Sequence, residues 1–202
     1  MELFFSQNHL VVVVERVKHR NQETGIPDKF EAGVFGQFFI DNFPHTPIFD
    51  SGRLHDEQQR HIFLNKLFAY FRFRQNVKTV GDLQAFHKEY KYLLMGYNQN
   101  TMREMGRIAA NGGDFNIYLE KLMTLLSSRI SKKNIINSLY HMMGYLKKDL
   151  DLSDKEHIHS LIEDYSKQNS YENKVEPILN FLIEKYDIAY LKEQRFFNPY
   201  PK

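Results

Sequence analysis

The sequence predicts a mainly α-helical protein, a multi-helix orthogonal bundle over residues 52–202 preceded by a short strand-containing segment over 1–51. Three observations carry this expectation. From Asp56 onward, apolar residues recur at three- and four-residue spacing. Helix-start and helix-stop residues punctuate that stretch at intervals suited to short helices. Residues 1–50 instead hold the β-branched run Leu10-Val-Val-Val-Val14 and a turn signal at Thr24-Gly25-Ile26-Pro27.

In the N-terminal segment, Leu10–Val14 reads as a buried strand and Val34–Phe43 as a short helix ended by Phe43-Pro44. His45-Thr46-Pro47 forces an extended connection. One strand cannot form a stable sheet by itself, so this segment must pack on the helical part or on another protein. Asp56 then caps a helix to about Asn76, with Phe63, Leu67, Tyr70 and Phe71 facing inward.

Thr79, with Asp82 three residues on, starts the central helix. Leu83, Phe86, Tyr90, Leu93, Leu94 and Tyr97 make its apolar face. His87 and Lys91 fall at the border of that face, with Gln84 and Lys88 just beyond. Thr101-Met-Arg-Glu104 reads as a capping box opening the next helix, and Arg103 and Arg107 lie one turn apart on it. Asn111-Gly112-Gly113 stops that helix, as glycine beyond a C-terminus does.

A helix over Phe115–Arg129 follows, and Ser131 opens another to about Leu150. Ile135, Leu139, Met142 and Leu146 form its core stripe; Asn134, Asn137, His141, Tyr145 and Lys148 form a second, largely polar one. Gly144 borders that second stripe, where a side chain would block a close approach. Ser153-Asp-Lys-Glu156 reads as a capping box, and Pro177 suits the first turn of a helix ending near Tyr186. Asn198-Pro-Tyr-Pro201 reads as a strap over the bundle.

With 202 residues the chain can bury one substantial core or two small ones. It contains no cysteine, which excludes disulfides, thiolate zinc sites, cysteine nucleophiles and cysteine-held iron–sulfur clusters within it. No stretch approaches the roughly 20 apolar residues of a membrane span, and no basic region precedes the N-terminal apolar run. A cytoplasmic protein without membrane partners is therefore expected. His157 and His159, two apart on a helix, face different sides and make a poor metal pair, so neither metal nor cofactor is expected. No phosphate loop, nucleophile elbow or His-Glu-x-x-His occurs.

Charge is unevenly spread. Residues 57–150 hold 15 Lys+Arg against 7 Asp+Glu, a net of +8, between ends that each carry −3. A basic middle suits a polyanion, although a solvated helical surface produces the same count.

Several blocks resemble the YbgA-like domain, a bacterial helical domain of unknown function. They are Ser51-Gly-Arg-Leu54, Phe86-His87 with Lys91-Tyr-Leu-Leu-Met95, Arg103-Glu-Met-Gly-Arg107, Ser138-Leu-Tyr-His-Met-Met-Gly-Tyr145, and Tyr190-Leu-Lys-Glu-Gln194 with Asn198-Pro-Tyr-Pro201. In many relatives this domain follows a thiouracil desulfidase of the TudS type. Glu15-Arg-Val-Lys18, Gly33-Val-Phe35, Phe43-Pro44 and Gly52-Arg-Leu54 resemble the end of that enzyme. Where the enzyme has a Ser-Cys-Gly stretch that helps hold its iron–sulfur cluster, this chain reads Val11-Val-Val-Val14, so desulfuration is not carried over. The first 51 residues thus resemble a cysteine-free remnant of the desulfidase C-terminus.

The resemblance implies a non-catalytic RNA-binding module, with transfer RNA as the implied ligand and thiolated-nucleotide or transfer-RNA metabolism as the setting. The matching positions are His87, Lys91, Arg103, Arg107, His141, Tyr145 and Lys148, and Asn137 joins them as a donor to phosphate, sugar or base edges. Arginine and lysine suit phosphates, and tyrosine or histidine suits unpaired bases. Lys132, Lys133 and Lys147 add charge. Two alternatives stay open: a protein-interaction role, with residues 1–50 docking a separately encoded desulfidase, and a small enzyme using His87 and His141 with Tyr145 as an acid–base pair.

Overall fold

The computed structural model describes residues 2–6, 9–14, 18–20, 27–32, 34–43, 45–50, 54–168 and 173–201. The described chain is mainly α-helical and divides into two compact units, Met1–Asn76 and Val77–Lys202. The expected boundary between residues 51 and 52 lies outside the described residues, as does the turn at Thr24–Ile26.

The first unit holds the strands. β1 (Glu2–Ser6) pairs antiparallel with β2 (His9–Val14), and β2 pairs in parallel with β5 (Ile48–Asp50). β3 (Lys18–Arg20) and β4 (Pro27–Ala32) form a separate antiparallel pair. The β-branched run expected to be a lone strand is therefore the middle of a three-stranded sheet, which supplies the partners that a single strand lacks. α1 (Val34–Asn42) follows β4. α2 (Glu57–Asn76) starts where Asp56 accepts a bond from the Gln59 amide, 2.8 Å, and buries Phe63, Ala69, Tyr70 and Phe73.

The second unit is built on α3 (Val80–Tyr97). Its Thr79–Asp82 capping box is complete: the Thr79 side chain accepts from the Asp82 amide, and the Asp82 carboxylate accepts from the Thr79 amide. All six residues of the expected apolar face are buried. Tyr92, Met95 and Gly96, off that face, are buried as well, so α3 is covered on more than one side.

α4 (Gln99–Ala110) packs against it. Its cap is Asn98, not Thr101. Asn98 is extended, and its side chain accepts from the Asn100 and Thr101 amides at 2.9 and 3.1 Å, which makes Thr101 part of the first turn. α3 and α4 are thus separated by one residue. α4 stops before Gly112, whose φ of +66° favours glycine.

α5 (Phe115–Leu126) is capped by Asp114 and ends three residues before the expected Arg129. α6 spans Lys132–Met143, after which the chain tightens into a 3-10 turn at Gly144–Leu146 rather than continuing as α-helix to Leu150. Leu146 and Leu150 stay buried, so the inward stripe survives the change of winding. Ser131 occupies the cap position without a side-chain bond. α7 (Leu152–Lys167) is capped by Asp151, which accepts from the Asp154 amide at 2.8 Å; the expected Ser153 box is already inside the helix. α8 (Val175–Lys185) carries Pro177 in its first turn, and α9 (Ala189–Lys192) leads into the tail.

Side chains bonded to backbone fasten this unit to α3. Ser138 Oγ donates to the Tyr92 carbonyl, 3.2 Å, and Asn134 Nδ2 donates to the Tyr97 carbonyl, 2.8 Å. Gln194, 2% exposed, donates to the Lys88 carbonyl at 2.8 Å and accepts from the Tyr92 amide at 3.4 Å. Beside it the Arg195 amide donates to the Glu89 carbonyl, and its guanidinium pairs with the Glu89 carboxylate at 2.9 Å. Phe196 and Phe197 are buried beyond this anchor.

Candidate nucleic-acid interface

The cationic candidates lie on α3, α4 and the segment after α6, and packing decides how much of their charge stays available. His87, on α3, is half-buried between two neighbours. Its Nδ1 hydrogen-bonds the Tyr118 hydroxyl of α5 at 3.0 Å, with the rings edge-on at 6.0 Å. Its Nε2 faces Gly106 of α4 so closely that a Cβ there would sit 2.9 Å away. Burial, then the positive charge of Lys91, holds the His87 pKa down at about 4, so the ring is neutral at pH 7. Burial raises the Tyr118 hydroxyl, which keeps its proton.

Lys91 is half-buried one turn further along α3, with its Nζ 5.5 Å from the centre of the Tyr92 ring. Arg103 and Arg107 flank Gly106 on α4, and both are exposed. Among the described residues neither forms an ion pair. Glu104, between them in sequence, is held by Lys121 at 3.3 Å.

The second group centres on tyrosines. Tyr145, in the 3-10 turn, stacks on Tyr190 of α9 with ring centres 5.2 Å apart and planes at 30°. Tyr92 meets Tyr190 edge-on at 6.3 Å. Lys88 Nζ lies 5.6 Å from the centre of the Tyr190 ring and pairs with Glu193 at 2.7 Å. Burial, then its neighbour Tyr145, pushes Tyr190 up to about 12, and burial raises Tyr92 further. Both phenols are therefore neutral hydrogen-bonding rings at neutral pH. His141 and Lys148 are exposed, and Asn137 is half-buried.

His87 and Lys91 share α3 with Tyr92 of the Tyr92–Tyr145–Tyr190 group, while Arg103 and Arg107 are exposed on α4, the helix whose Gly106 faces His87. Lys132 is engaged elsewhere: its ammonium donates to the Gln168 carbonyl and sits 4.6 Å from the centre of the Tyr165 ring. Gly144 does not mark a close approach, because a Cβ there would meet nothing within 4 Å. The glycine that does is Gly106. It stands in mid-helix, where glycine costs about 1 kcal/mol against alanine, and that unexplained cost was its signal in the sequence. Tyr92, Tyr118 and Tyr190 were also missed. Tyr92 lies off the apolar stripe, and a tyrosine placed there was the available sign of a second covered side.

A family model described as "Protein of unknown function (DUF1722)" matches residues 91–201, more than half of the chain. The chain belongs to the DUF1722 family. It is also 26% identical over 149 residues to "Uncharacterized protein YbgA" of Escherichia coli (strain K12), covering 67% of this chain and 85% of that relative. The resemblance to a YbgA-like domain of unknown function is thereby established. No solved structure matches the chain. The DUF1722 match starts at Lys91 and includes Arg103, Arg107, the Tyr145–Tyr190 stack and the Gln194 anchor. Among the described residues no helix is long and apolar enough to cross a membrane, and no cluster of three or more His, Asp or Glu suits a metal ion.

Proposed function

We propose that this DUF1722 chain is a non-catalytic RNA-binding module that holds transfer RNA in the cytoplasm through the cationic surface of α3, α4 and the segment after α6. The observation that carries this reading is the state of Arg103 and Arg107: exposed, one turn apart on one helix, and without an ion pair among the described residues. Guanidinium groups in that state keep their full capacity for bidentate phosphate contacts. Lys91 and Lys148 add phosphate contacts, Asn137 and His141 add polar donors, and Tyr145 adds an exposed ring. His87, neutral at pH 7, serves this surface by holding α4 against α3 rather than by charge.

Four neutralised phosphates would give a log–log salt slope of about −3. The test is fluorescence anisotropy of the purified chain with total transfer RNA at several salt concentrations. Arg103→Glu with Arg107→Glu is expected to abolish binding and leave the melting temperature nearly unchanged. A collapse of the fold in that variant would assign both arginines to the scaffold and remove the proposal's support.

A further inference from the structure

Resting on the RNA-binding reading, we infer that Tyr145, backed by Tyr190, is a stacking platform for an unpaired RNA base, so that the surface distinguishes single-stranded from duplex RNA. Three features of the site carry this. The Tyr145–Tyr190 pair is already face to face, at 5.2 Å and 30°, so a base laid on Tyr145 would extend an existing stack. Tyr145 remains 44% exposed, whereas Tyr92 of the same cluster is only 2% exposed. The neighbouring Gly144 is exposed, and apart from its chain neighbours nothing lies within 4 Å of its Cβ position, so no other element covers the chain at that point.

Tyr190 has further neighbours. Lys88 Nζ lies over its ring and pairs with Glu193, and Tyr92 abuts it from α3. A preformed ring pair loses little conformational freedom when a base arrives. Cations for the sugar–phosphate chain are near in sequence and exposed: Lys147 and Lys148 follow Tyr145 by two and three residues. Bases within an A-form duplex are stacked on each other and only its end pairs offer a free face, so this platform favours unpaired nucleotides.

The test compares a short single-stranded RNA with a blunt duplex of the same sequence, by anisotropy at low and moderate salt, for the wild-type chain, Tyr145→Ala and Tyr145→Phe. Tyr145→Ala is expected to weaken single-strand binding about tenfold, within the range for loss of one base–aromatic stack, and to leave duplex binding unchanged. Tyr145→Phe keeps the ring and is expected to retain both affinities, and it preserves the comparison if the alanine variant melts early. Salt-dependent binding to both RNAs that Tyr145→Ala leaves untouched, or weakens equally, would overturn the platform while the RNA-binding reading stands. Absence of salt-dependent binding to either RNA by the wild-type chain would overturn both.

Discussion

Replacing Gly106 with alanine sets two effects of opposite sign against each other. Alanine is the better helix former by about 1 kcal/mol in a helix interior. The added methyl, however, would lie 2.9 Å from His87 Nε2, with Cε1 and Cδ2 at 3.5 and 3.6 Å. The nitrogen is about half an ångström inside ordinary contact. The ring cannot retreat freely, because its far side is hydrogen-bonded at 3.0 Å to Tyr118, a side chain with no exposure. Overpacking of this kind costs about 1–3 kcal/mol, and displacing the ring adds the loss of a buried hydrogen bond, about 1–3 kcal/mol.

The net expectation is a destabilisation of about 1–5 kcal/mol, or a fall in melting temperature of about 2–20 °C for a chain of this size. Thermal melts followed by circular dichroism measure it. A double-mutant cycle isolates the cause. In a His87→Ala background the obstruction is gone, and Gly106→Ala is then expected to stabilise by about 0.5–1 kcal/mol. A rise in melting temperature in both backgrounds would refute the close approach, and with it the wedging of His87 between α4 and α5.

Two further outcomes follow from the same contacts. The folded-state pKa of His87, about 4, lies below its ordinary value of 6.5, so the unfolded chain binds more protons between those values. The stability tied to neutral His87 is complete above about pH 6.5 and is lost as pH falls toward 4, by at most about 3 kcal/mol; His87→Gln is expected to remove this part of the slope, read from urea midpoints at pH 7.5 and 4.5. Gln194→Ala is expected to cost about 1 kcal/mol, since it removes the side-chain bonds that tie the tail to the Lys88 carbonyl and Tyr92 amide, which keep their helical bond to each other, and urea denaturation would register it.

What the sequence disclosed was mostly what is local. The Thr79–Asp82 box was legible to the residue because both of its bonds close within three positions. The boxes at Thr101 and Ser153 were misplaced because Asn98 and Asp151, equally good caps, precede them by two or three residues and take the position first. Periodicity put His87 and Lys91 at a border, and both are half-buried there. It could not show that the ring of His87 is wedged against Gly106, since that contact joins two helices. The tyrosine group joins positions 92, 145 and 190, and no window of sequence spans it. Charge counting overstated the surface for the same reason: Lys132 and Lys88 count as basic, yet one is turned to Gln168 and Tyr165 and the other to Glu193.

The anchoring of α3 explains why binding and stability should separate at some positions and travel together at others. Gln84 donates to the Ala109 carbonyl of α4, Ser138 and Asn134 bond the Tyr92 and Tyr97 carbonyls, and Gln194 and Arg195 bond the backbone of Lys88, Tyr92 and Glu89. All but the first of these bonds use the backbone of α3, and they leave Lys91 outside the network, while Arg103 and Arg107 are exposed on α4. Charge reversal at the two arginines should therefore change affinity with the frame intact. Gly106→Ala, which touches no ligand in this reading, shifts α4 relative to His87 and moves both guanidinium groups with it, so its loss of stability should bring a loss of affinity. Affinity that survives a measured displacement at Gly106 would mean that the spacing of α3 and α4 does not matter to the ligand, and that Arg103 and Arg107 act as isolated charges rather than as one side of a built surface.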